Sequence, residues 1–291
     1  MAHVMFTRFA TWFILTLALV YAPARAFAQV TADAPVVYGH HHVNATSIDE
    51  HKKFWGDILG GTPIKYGTNN VDIIKFPNLL LFMRAQKPTA SSKGSTVDHF
   101  GFSVPNLQPV LDKLKAAGYR NATTAEAPAG ATVVNDIRVM TGGPISAIAY
   151  VFGPDEVKVE LMEMKAQTAP ILPNHLHFFS DHNTEMQQWY VKTFGATAGR
   201  PTPDFMTASV PGTGLNFSAT PAPSAPTTGR AIDHIGFEVK NLEAFTKQLE
   251  AQGIKLTVPY RQVPALDISI AFIVDPWGTN IELTEGLTKI K

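Results

Sequence analysis

The chain has 291 residues, 45% hydrophobic and 16% charged, so it can fold around a sizeable core and is not disordered overall. Its 24 Lys and Arg residues balance its 24 Asp and Glu residues, which argues against nucleic acid or an anionic membrane surface as a partner. The absence of cysteine excludes disulfides and thiolate ligands, so any metal must be held by His and carboxylate side chains.

The first 28 residues have the pattern of a secretory signal peptide. Arg8 precedes an apolar run over 9–22, and the small-residue pattern Ala26-Phe27-Ala28 follows. The run is short for a membrane span, so an uncleaved anchor is the less favoured alternative. We predict cleavage after Ala28, localisation to the periplasm or outside the cell, and no stable membrane insertion of the mature protein.

The remainder of the chain is an internal repeat. The segment Asp98-His99-Phe100-Gly101-Phe102 recurs as Asp233-His234-Ile235-Gly236-Phe237, and the same offset of 135 residues carries His40 to His175 and His42 to His177. Within each half, His40 precedes His99 by 59 residues, and His175 precedes His234 by the same distance. The chain therefore contains four homologous units.

Each unit begins with a short strand that carries a His, continues with a helix and ends with further strands. Capping and glycine signals predict helices over 47–60, 106–118, 183–195 and 241–253, the first opened by the capping-box pair Ser47 and Glu50. Apolar runs predict strands over 71–76, 79–83, 145–152, 157–162, 215–218, 268–274 and 280–284. The predicted fold is α+β, with four β-α-β-β-β units grouped in tandem as an N-terminal domain over 36–168 and a C-terminal domain over 172–288.

These motifs resemble the vicinal oxygen chelate superfamily, which includes glyoxalase I, extradiol dioxygenases and bleomycin-resistance proteins. The residues that carry the resemblance are the His-x-His strands at 40 and 175, the two Asp-His-x-Gly-Phe strands, Asp275-Pro276-Trp277-Gly278, and the closing segments Val159-Glu160-Leu161 and Ile281-Glu282-Leu283. The resemblance covers nearly all of 36–288. It implies that pairs of units form curved mixed sheets around a cleft.

The resemblance also implies a divalent metal held by two imidazoles and one carboxylate. By position, the first half offers His40, His99 and Glu160, and the second offers His175, His234 and Glu282. Residues two apart in a strand share a face, so His42 and His177 are alternative ligands or line the cleft. Such a ligand set suits Fe(II), with Mn(II) or Zn(II) as alternatives.

Other acidic and histidine residues are predicted to lie away from the cleft. Glu163 and Glu285 should lie on the opposite strand face, and His41 should face away from the cleft. His51 and His182 should be solvated. A single His on an apolar strand is more often a satisfied core residue than a ligand, and it is the recurrence in both halves that favours a metal site.

Departures from the family pattern limit which reactions of the superfamily this chain could catalyse. Glyoxalase I uses a fourth carboxylate or amide ligand, but the matching positions fall near Leu81 and Asn216, neither of which is a base. The extradiol dioxygenase signature has a Tyr ten residues before the ligand Glu and a His upstream of it. Tyr150 lies ten residues before Glu160 and is therefore a candidate catalytic residue, whereas Phe272 lies ten residues before Glu282. Neither half has the upstream His of this signature.

Two functions remain open at this point, and a third possibility is a split in which one half is catalytic and the other is a structural partner that completes the sheets. One is a metal-dependent enzyme of the dioxygenase or glyoxalase type that acts on a small molecule with neighbouring oxygens. The other is a metal-free protein that sequesters a small molecule, as bleomycin-resistance proteins do. In either case the expected partner is a small molecule, and the chain is expected to be a monomer or a homodimer.

Overall fold

A computed structural model describes residues 30, 34–199, 202 and 204–290 of the chain. The predicted signal peptide lies outside the described residues. No helix within the described part of the chain has the length and apolar character needed to cross a membrane.

The four predicted units are present, each with an opening strand, a helix and further strands. Unit 1 consists of β1 (Val36–Ala45), α1 (Ile48–Lys52), a π-helical turn (Lys53–Ile58), β2 (Thr62–Tyr66), β3 (Val71–Phe76) and β4 (Leu79–Ala85). Unit 2 consists of β5 (Val97–Val104), α2 (Gln108–Ala116), β6 (Arg120–Asn121), α3 (Thr123–Glu126), β7 (Val133–Val134), β8 (Ile137–Val139), β9 (Ala147–Phe152) and β10 (Lys158–Glu163).

The second half repeats this order with shorter insertions. Unit 3 consists of β11 (Leu172–Ser180), α4 (Asn183–Phe194), β12 (Thr197–Ala198), β13 (Phe205–Val210) and β14 (Thr213–Ala219). Unit 4 consists of β15 (Ile232–Val239), α5 (Leu242–Ala251), β16 (Leu256–Val263), β17 (Ile268–Val274) and β18 (Asn280–Glu285). Single-turn 3₁₀ helices cover Pro154–Glu156, Pro264–Leu266 and Leu287–Lys289. The predicted α+β class is confirmed.

The units combine into two mixed sheets, but not in the tandem order that the sequence predicts. Sheet I has the order β16-β17-β18-β15-β1-β4-β3-β2 and joins unit 1 to unit 4. Sheet II contains ten strands in the order β12-β13-β14-β11-β5-β10-β9-β8-β7, with β6 beside β9, and joins unit 2 to unit 3. Each sheet therefore combines an N-terminal unit with a C-terminal one.

The opening strands decide this pairing. β1 runs antiparallel to β15 from Val36 opposite Val239 to Val43 opposite Ile232, and β11 runs antiparallel to β5 in the same manner. The opening strands fall into two motif classes, His-x-His in β1 and β11 and Asp-His-x-Gly-Phe in β5 and β15. A strand of one class could pair with either strand of the other, so the repeat identifies the units without indicating which two will be neighbours. The prediction of tandem pairs is corrected for this reason.

The helix termini follow the predicted capping signals. The side chain of Ser47 accepts a hydrogen bond from the amide of Glu50 at 3.3 Å, and that of Asn241 accepts one from Ala244 at 3.2 Å. Glu163 and Glu285 lie away from the clefts, as predicted, and accept hydrogen bonds at 3.0 Å from Leu107 and Leu242 at the beginnings of α2 and α5. A carboxylate there satisfies an unpaired amide and the positive end of the helix dipole.

The helix of each odd unit contacts the last hairpin turn of the following unit. His51 donates a hydrogen bond to Asp155 at 3.0 Å, while the indole of Trp55 donates to the other ring nitrogen of His51 at 3.2 Å. Tyr190 donates to Asp275 at 3.0 Å in the second half. His51 is therefore buried and not solvated, because its helix is covered by the neighbouring unit.

One apolar core lies on the helix-covered faces of both sheets. His41 points into it, as predicted, stacked on Phe100 of the other sheet at a ring distance of 3.5 Å and hydrogen-bonded to the Tyr38 hydroxyl. Side chains on the opposite strand faces line two clefts, and these are the faces that carry the other strand histidines.

Candidate metal centres

Each sheet contains a cluster of three imidazoles and one carboxylate whose candidate ligand atoms lie within 4.8 Å of one another. The cluster in sheet I, called site I, consists of His40, His42, His234 and Glu282. The cluster in sheet II, called site II, consists of His99, His175, His177 and Glu160. Both could hold a metal ion.

The structure brings together every predicted ligand, but in different sets from those expected. The sequence predicts that His99 and Glu160 lie with His40, whereas the structure places both with His175 in site II. Likewise His234 and Glu282 lie with His40 in site I. This correction follows directly from the pairing of units, since each site takes a His-x-His strand from one unit and a His and a Glu from the other.

Strand register explains the arrangement. In sheet I, His42 lies opposite His234 across the β1–β15 pair, and Glu282 lies beside Gly236 in the neighbouring parallel strand. In sheet II, His177 lies opposite His99, and Glu160 lies beside Gly101. His42 and His177, predicted only as alternates, therefore occupy the same clusters as the other ligands.

The glycine of each Asp-His-x-Gly-Phe strand makes room for an imidazole. A Cβ atom at Gly236 would lie 1.9 Å from the ring of His40, and one at Gly101 would lie 2.3 Å from the ring of His175. Real Cβ atoms do not approach other atoms so closely. The glycines thus allow a ring from the adjacent strand to lie flat over the backbone.

The aspartate of the same motif orients the histidine that follows it. Asp98 and Asp233 contact Nδ1 of His99 and His234 at 2.7 and 2.6 Å, which directs each Nε2 towards the cleft. Each Nε2 reaches its cluster carboxylate, at 3.0 Å in His99–Glu160 and 2.9 Å in His234–Glu282. Such carboxylate–histidine pairs fix the tautomer and the ring orientation of metal ligands.

The two aspartates are held differently. Both accept a backbone hydrogen bond, from Gly94 at 2.9 Å or from Gly229 at 2.7 Å. Asp98 also pairs with the buried ammonium group of Lys158 at 2.8 Å, and Lys158 pairs in turn with Glu126 at 2.9 Å. Asp233 instead accepts a hydrogen bond from the amide of Asn44 at 3.2 Å.

Burial and neighbouring groups shift the pKa values of the cluster side chains. Burial, reinforced by the charge of His99, lowers the pKa of His177 to about 3, so that this ring is neutral at neutral pH. Burial opposes ionisation of Glu160, but the surrounding imidazoles of His175, His177 and His99 outweigh it and hold its pKa well below the ordinary value. A neutral imidazole beside an ionised carboxylate is the protonation state that metal ligation requires.

Each cluster also contains buried imidazole nitrogens that form no hydrogen bond with the described residues. They are Nδ1 of His40, Nε2 of His42, Nε2 of His175 and Nδ1 of His177. An unpaired buried polar atom costs free energy, and a bound cation would remove that cost. Three imidazoles, one carboxylate and these free lone pairs therefore fit a divalent transition metal.

The clefts differ in size and lining. The site I cleft has a volume of about 370 Å³ and is bordered by Phe82, Arg84 and Leu287. The site II cleft measures about 750 Å³, and Tyr150 lies on its wall, opposite Glu160 across the β9–β10 pair and 5.7 Å from His99 between rings. The catalytic role predicted for Tyr150 remains a prediction.

The fourth-ligand position of the family is not a carboxylate in either site. Phe82 lies beside His42 and Asn216 lies beside His177 in the adjacent parallel strands. Leu81, which the sequence analysis matched with Asn216, lies one residue out of register and packs in the apolar core. The place of a carboxylate is therefore taken by an aromatic ring in site I and by an amide in site II.

The roles of the Asp and Gly residues of the repeated motif were not predicted from the sequence. Asp98, Gly101, Asp233 and Gly236 each support a ligand, and their repetition at the ligand offset was the available signal. Lys158 gave no comparable signal because the matching position in the second half is Asn280.

Comparisons with known proteins agree with this description. Residues 172–283 match the family model "Glyoxalase/Bleomycin resistance protein/Dioxygenase superfamily". Glyoxalase I from Zea mays is similar in fold, with a TM-score of 0.66 and 14% identity over 88% of this chain and 94% of that one. A proposed dioxygenase from Bacillus subtilis subsp. subtilis str. 168 has a TM-score of 0.61 and 12% identity over 87% of this chain and 86% of that one.

The same comparisons show which parts of the chain the family match and the fold similarity cover. No match was found among curated protein sequences. The family match covers units 3 and 4, whereas the similarity in fold extends to all four units. The predicted resemblance is therefore confirmed: residues 172–283 match the model of the glyoxalase, bleomycin-resistance and dioxygenase superfamily, and the described chain has a fold similar to that of glyoxalase I from Zea mays.

Proposed function

We propose that the protein is a metal-dependent enzyme of the glyoxalase or dioxygenase type that acts on a small molecule with neighbouring oxygens. The observation that carries the proposal is the pair of four-residue clusters, each with buried imidazole nitrogens that form no hydrogen bond with the described residues. When bound, a divalent ion would supply Lewis-acid chemistry towards the substrate oxygens. Fe(II) suits three imidazoles and one carboxylate, with Mn(II) and Zn(II) as alternatives.

The residues of site II supply what the substrate would need around the metal. His99, His175, His177 and Glu160 would hold the ion, and Asp98 would keep His99 in the ligating orientation. Tyr150 has a hydroxyl group on the cleft wall, and burial together with the charge of Glu160 raises its pKa. It would therefore be a hydrogen-bond donor to the substrate at neutral pH. The larger cleft makes site II the main candidate for catalysis.

Metal analysis of the purified protein tests the proposal. We expect two divalent ions per chain, one lost in His99→Ala and the other in His234→Ala. His182→Ala is the matched control, because that ring is exposed and lies outside both clusters. A wild-type protein that takes up no metal from Fe(II), Mn(II) or Zn(II) would contradict the proposal.

Sequestration of a small molecule without metal is the second candidate. The volume and partly apolar lining of the site II cleft are compatible with it. It predicts that a bound molecule is retained after treatment with a chelator and that His99→Ala leaves its affinity unchanged. The enzyme hypothesis predicts loss of binding in both cases.

We also propose that the protein is exported and that residues 1–28 are removed. The support is the sequence pattern, together with the burial of Val30 in an apolar cluster with Leu287 and Ile290, immediately after the predicted cleavage site. N-terminal sequencing of the protein from a periplasmic or extracellular fraction should begin at Gln29. An N-terminus that retains the apolar run would contradict export by this route.

A further inference from the structure

We infer that the substrate of site II carries an anionic group in addition to its metal-binding oxygens, and that Arg138 binds this group. The inference rests on the proposed function, because it concerns the molecule that would bind beside the metal. Its chemistry is that of a carboxylate or a phosphate, both of which a guanidinium binds with two parallel hydrogen bonds.

Strand order places Arg138 at a defined distance from the cluster. β8, β9 and β10 are neighbours, with Arg138 opposite Ile148 and Tyr150 opposite Glu160. Ile148 and Tyr150 are two residues apart and share a face, so Arg138 lies on the face that carries Glu160. With strands about 4.8 Å apart, Arg138 lies roughly 10 Å from the strand of Glu160. A substituted aromatic ring would fit between them.

The charge of Arg138 is uncompensated within the described part of the chain. It lines the cleft, is half-buried, shares a hydrogen bond with the Tyr150 side chain, and forms no ion pair with a described carboxylate. The other cationic group of the cleft, Lys158, is paired with both Asp98 and Glu126. Asp204 also borders the cleft, but β13 lies at the opposite edge of the sheet from β8. Arg138 is thus the group available to an anion.

The rest of the wall favours an apolar body for the substrate. Ile145, Ile148, Met140 and Met162 border the cleft beside Arg138, and Phe179 and Phe205 border it beside His177. These side chains offer few hydrogen bonds. The ligand class is therefore a compact, mainly apolar molecule with an oxygen pair at one end and an anion at the other.

Arg261 provides a matched control. Arg261 is on β16 and lies opposite Ile270, just as Arg138 is on β8 and lies opposite Ile148. Each of these isoleucines precedes the glutamate of its cluster by twelve residues. Arg261 is exposed and does not border the site I cleft. Substitution at Arg261 removes the same charge from the equivalent place in the other sheet.

Calorimetry on Zn(II)-loaded protein with two probes tests the inference. Catechol and 3,4-dihydroxybenzoate share the oxygen pair and differ by one carboxylate. Measurements use the wild type and, to silence site I, His234→Ala. We expect 3,4-dihydroxybenzoate to bind about 10-fold more tightly than catechol, from the strength of a charge-assisted hydrogen bond. Arg138→Ala should abolish this preference, Arg138→Lys should retain part of it, and Arg261→Ala should leave it unchanged.

The possible outcomes distinguish failure of the inference about Arg138 from failure of the proposed metal-dependent function. Competition by benzoate or by phenyl phosphate then identifies the anion as carboxylate or phosphate. If zinc and catechol bind but no preference for the carboxylate is found, or if Arg138→Ala retains it, the inference is overturned and the proposed function stands. If none of Zn(II), Fe(II) and Mn(II) binds, both are overturned.

Discussion

Gly101 and Gly236 have no Cβ atom, and this leaves room for the imidazole rings of His175 and His40 in sites II and I. We predict that Gly101→Ala lowers metal affinity at site II by about 10- to 100-fold, as removal of ligand-supporting groups does elsewhere. The added Cβ would displace the ring of His175. The overpacked variant should also lose about 1–3 kcal/mol of stability. Metal titration and thermal unfolding measure the two effects.

The matched substitutions make this prediction specific. Gly236→Ala should have the same effect on site I alone, through His40. Gly143→Ala should change neither site, because a Cβ there meets no atom within 4 Å and its backbone is not left-handed. Unchanged zinc affinity in Gly101→Ala would show that the close approach of ring and backbone is unimportant.

At the level of residues, the sequence predicted the members of the two clusters better than their grouping. The histidines and glutamates of both clusters were identifiable because they recur at one offset. Their assignment to sites was not, because it depends on which opening strands become neighbours. The burial of His51 was also missed, since a helix surface looks polar until the neighbouring unit that covers it is known.

At the level of elements, the contact between α1 and the turn before β10 should make stability depend on pH. Burial opposes ionisation of Asp155, but hydrogen bonds from His51 and Thr46 outweigh it and lower its pKa to about 2. A carboxyl group whose pKa falls on folding from about 3.9 stabilises the protein above that pH. This contribution is lost as the pH falls from about 4 to 2.

We predict that Asp155→Asn destabilises the protein by about 1 kcal/mol at pH 7, a value reduced by partial exposure to solvent, and by less at pH 2–3. Urea unfolding across this pH range measures the difference. Asp57→Asn, an exposed carboxylate on the same helical segment, serves as the control. A difference between wild type and Asp155→Asn that is the same at pH 7 and pH 2.5 would refute this account of the contact.

Helices and strands were predictable where local signals determine them. Ser47, Asn241 and Gly195 mark helix ends through hydrogen bonds and, for Gly195, a left-handed backbone with φ of 67°. The π-helical turn Lys53–Ile58 was not foreseen. It follows α1 where Phe54 packs on Gly153 and Trp55 contacts Phe102, both in unit 2, so that tertiary packing and not propensity determines it.

At the level of the whole molecule, the pairing of units predicts that the halves do not fold alone as monomers. A fragment covering 36–168 would contain β1 without β15 and β5 without β11, each an unpaired edge at the centre of a sheet. We expect this fragment to be unfolded or to dimerise, as judged by circular dichroism and sedimentation. A monomer that unfolds cooperatively would support the tandem arrangement instead.

The central claim is that each of two metal centres is built from one N-terminal and one C-terminal unit. Anomalous diffraction from crystals of the Zn(II)-loaded protein tests it most directly. We predict two anomalous peaks per chain, one ligated by His40, His42, His234 and Glu282 and the other by His99, His175, His177 and Glu160. The absence of both peaks, or a peak ligated by His40 together with His99, would contradict the account.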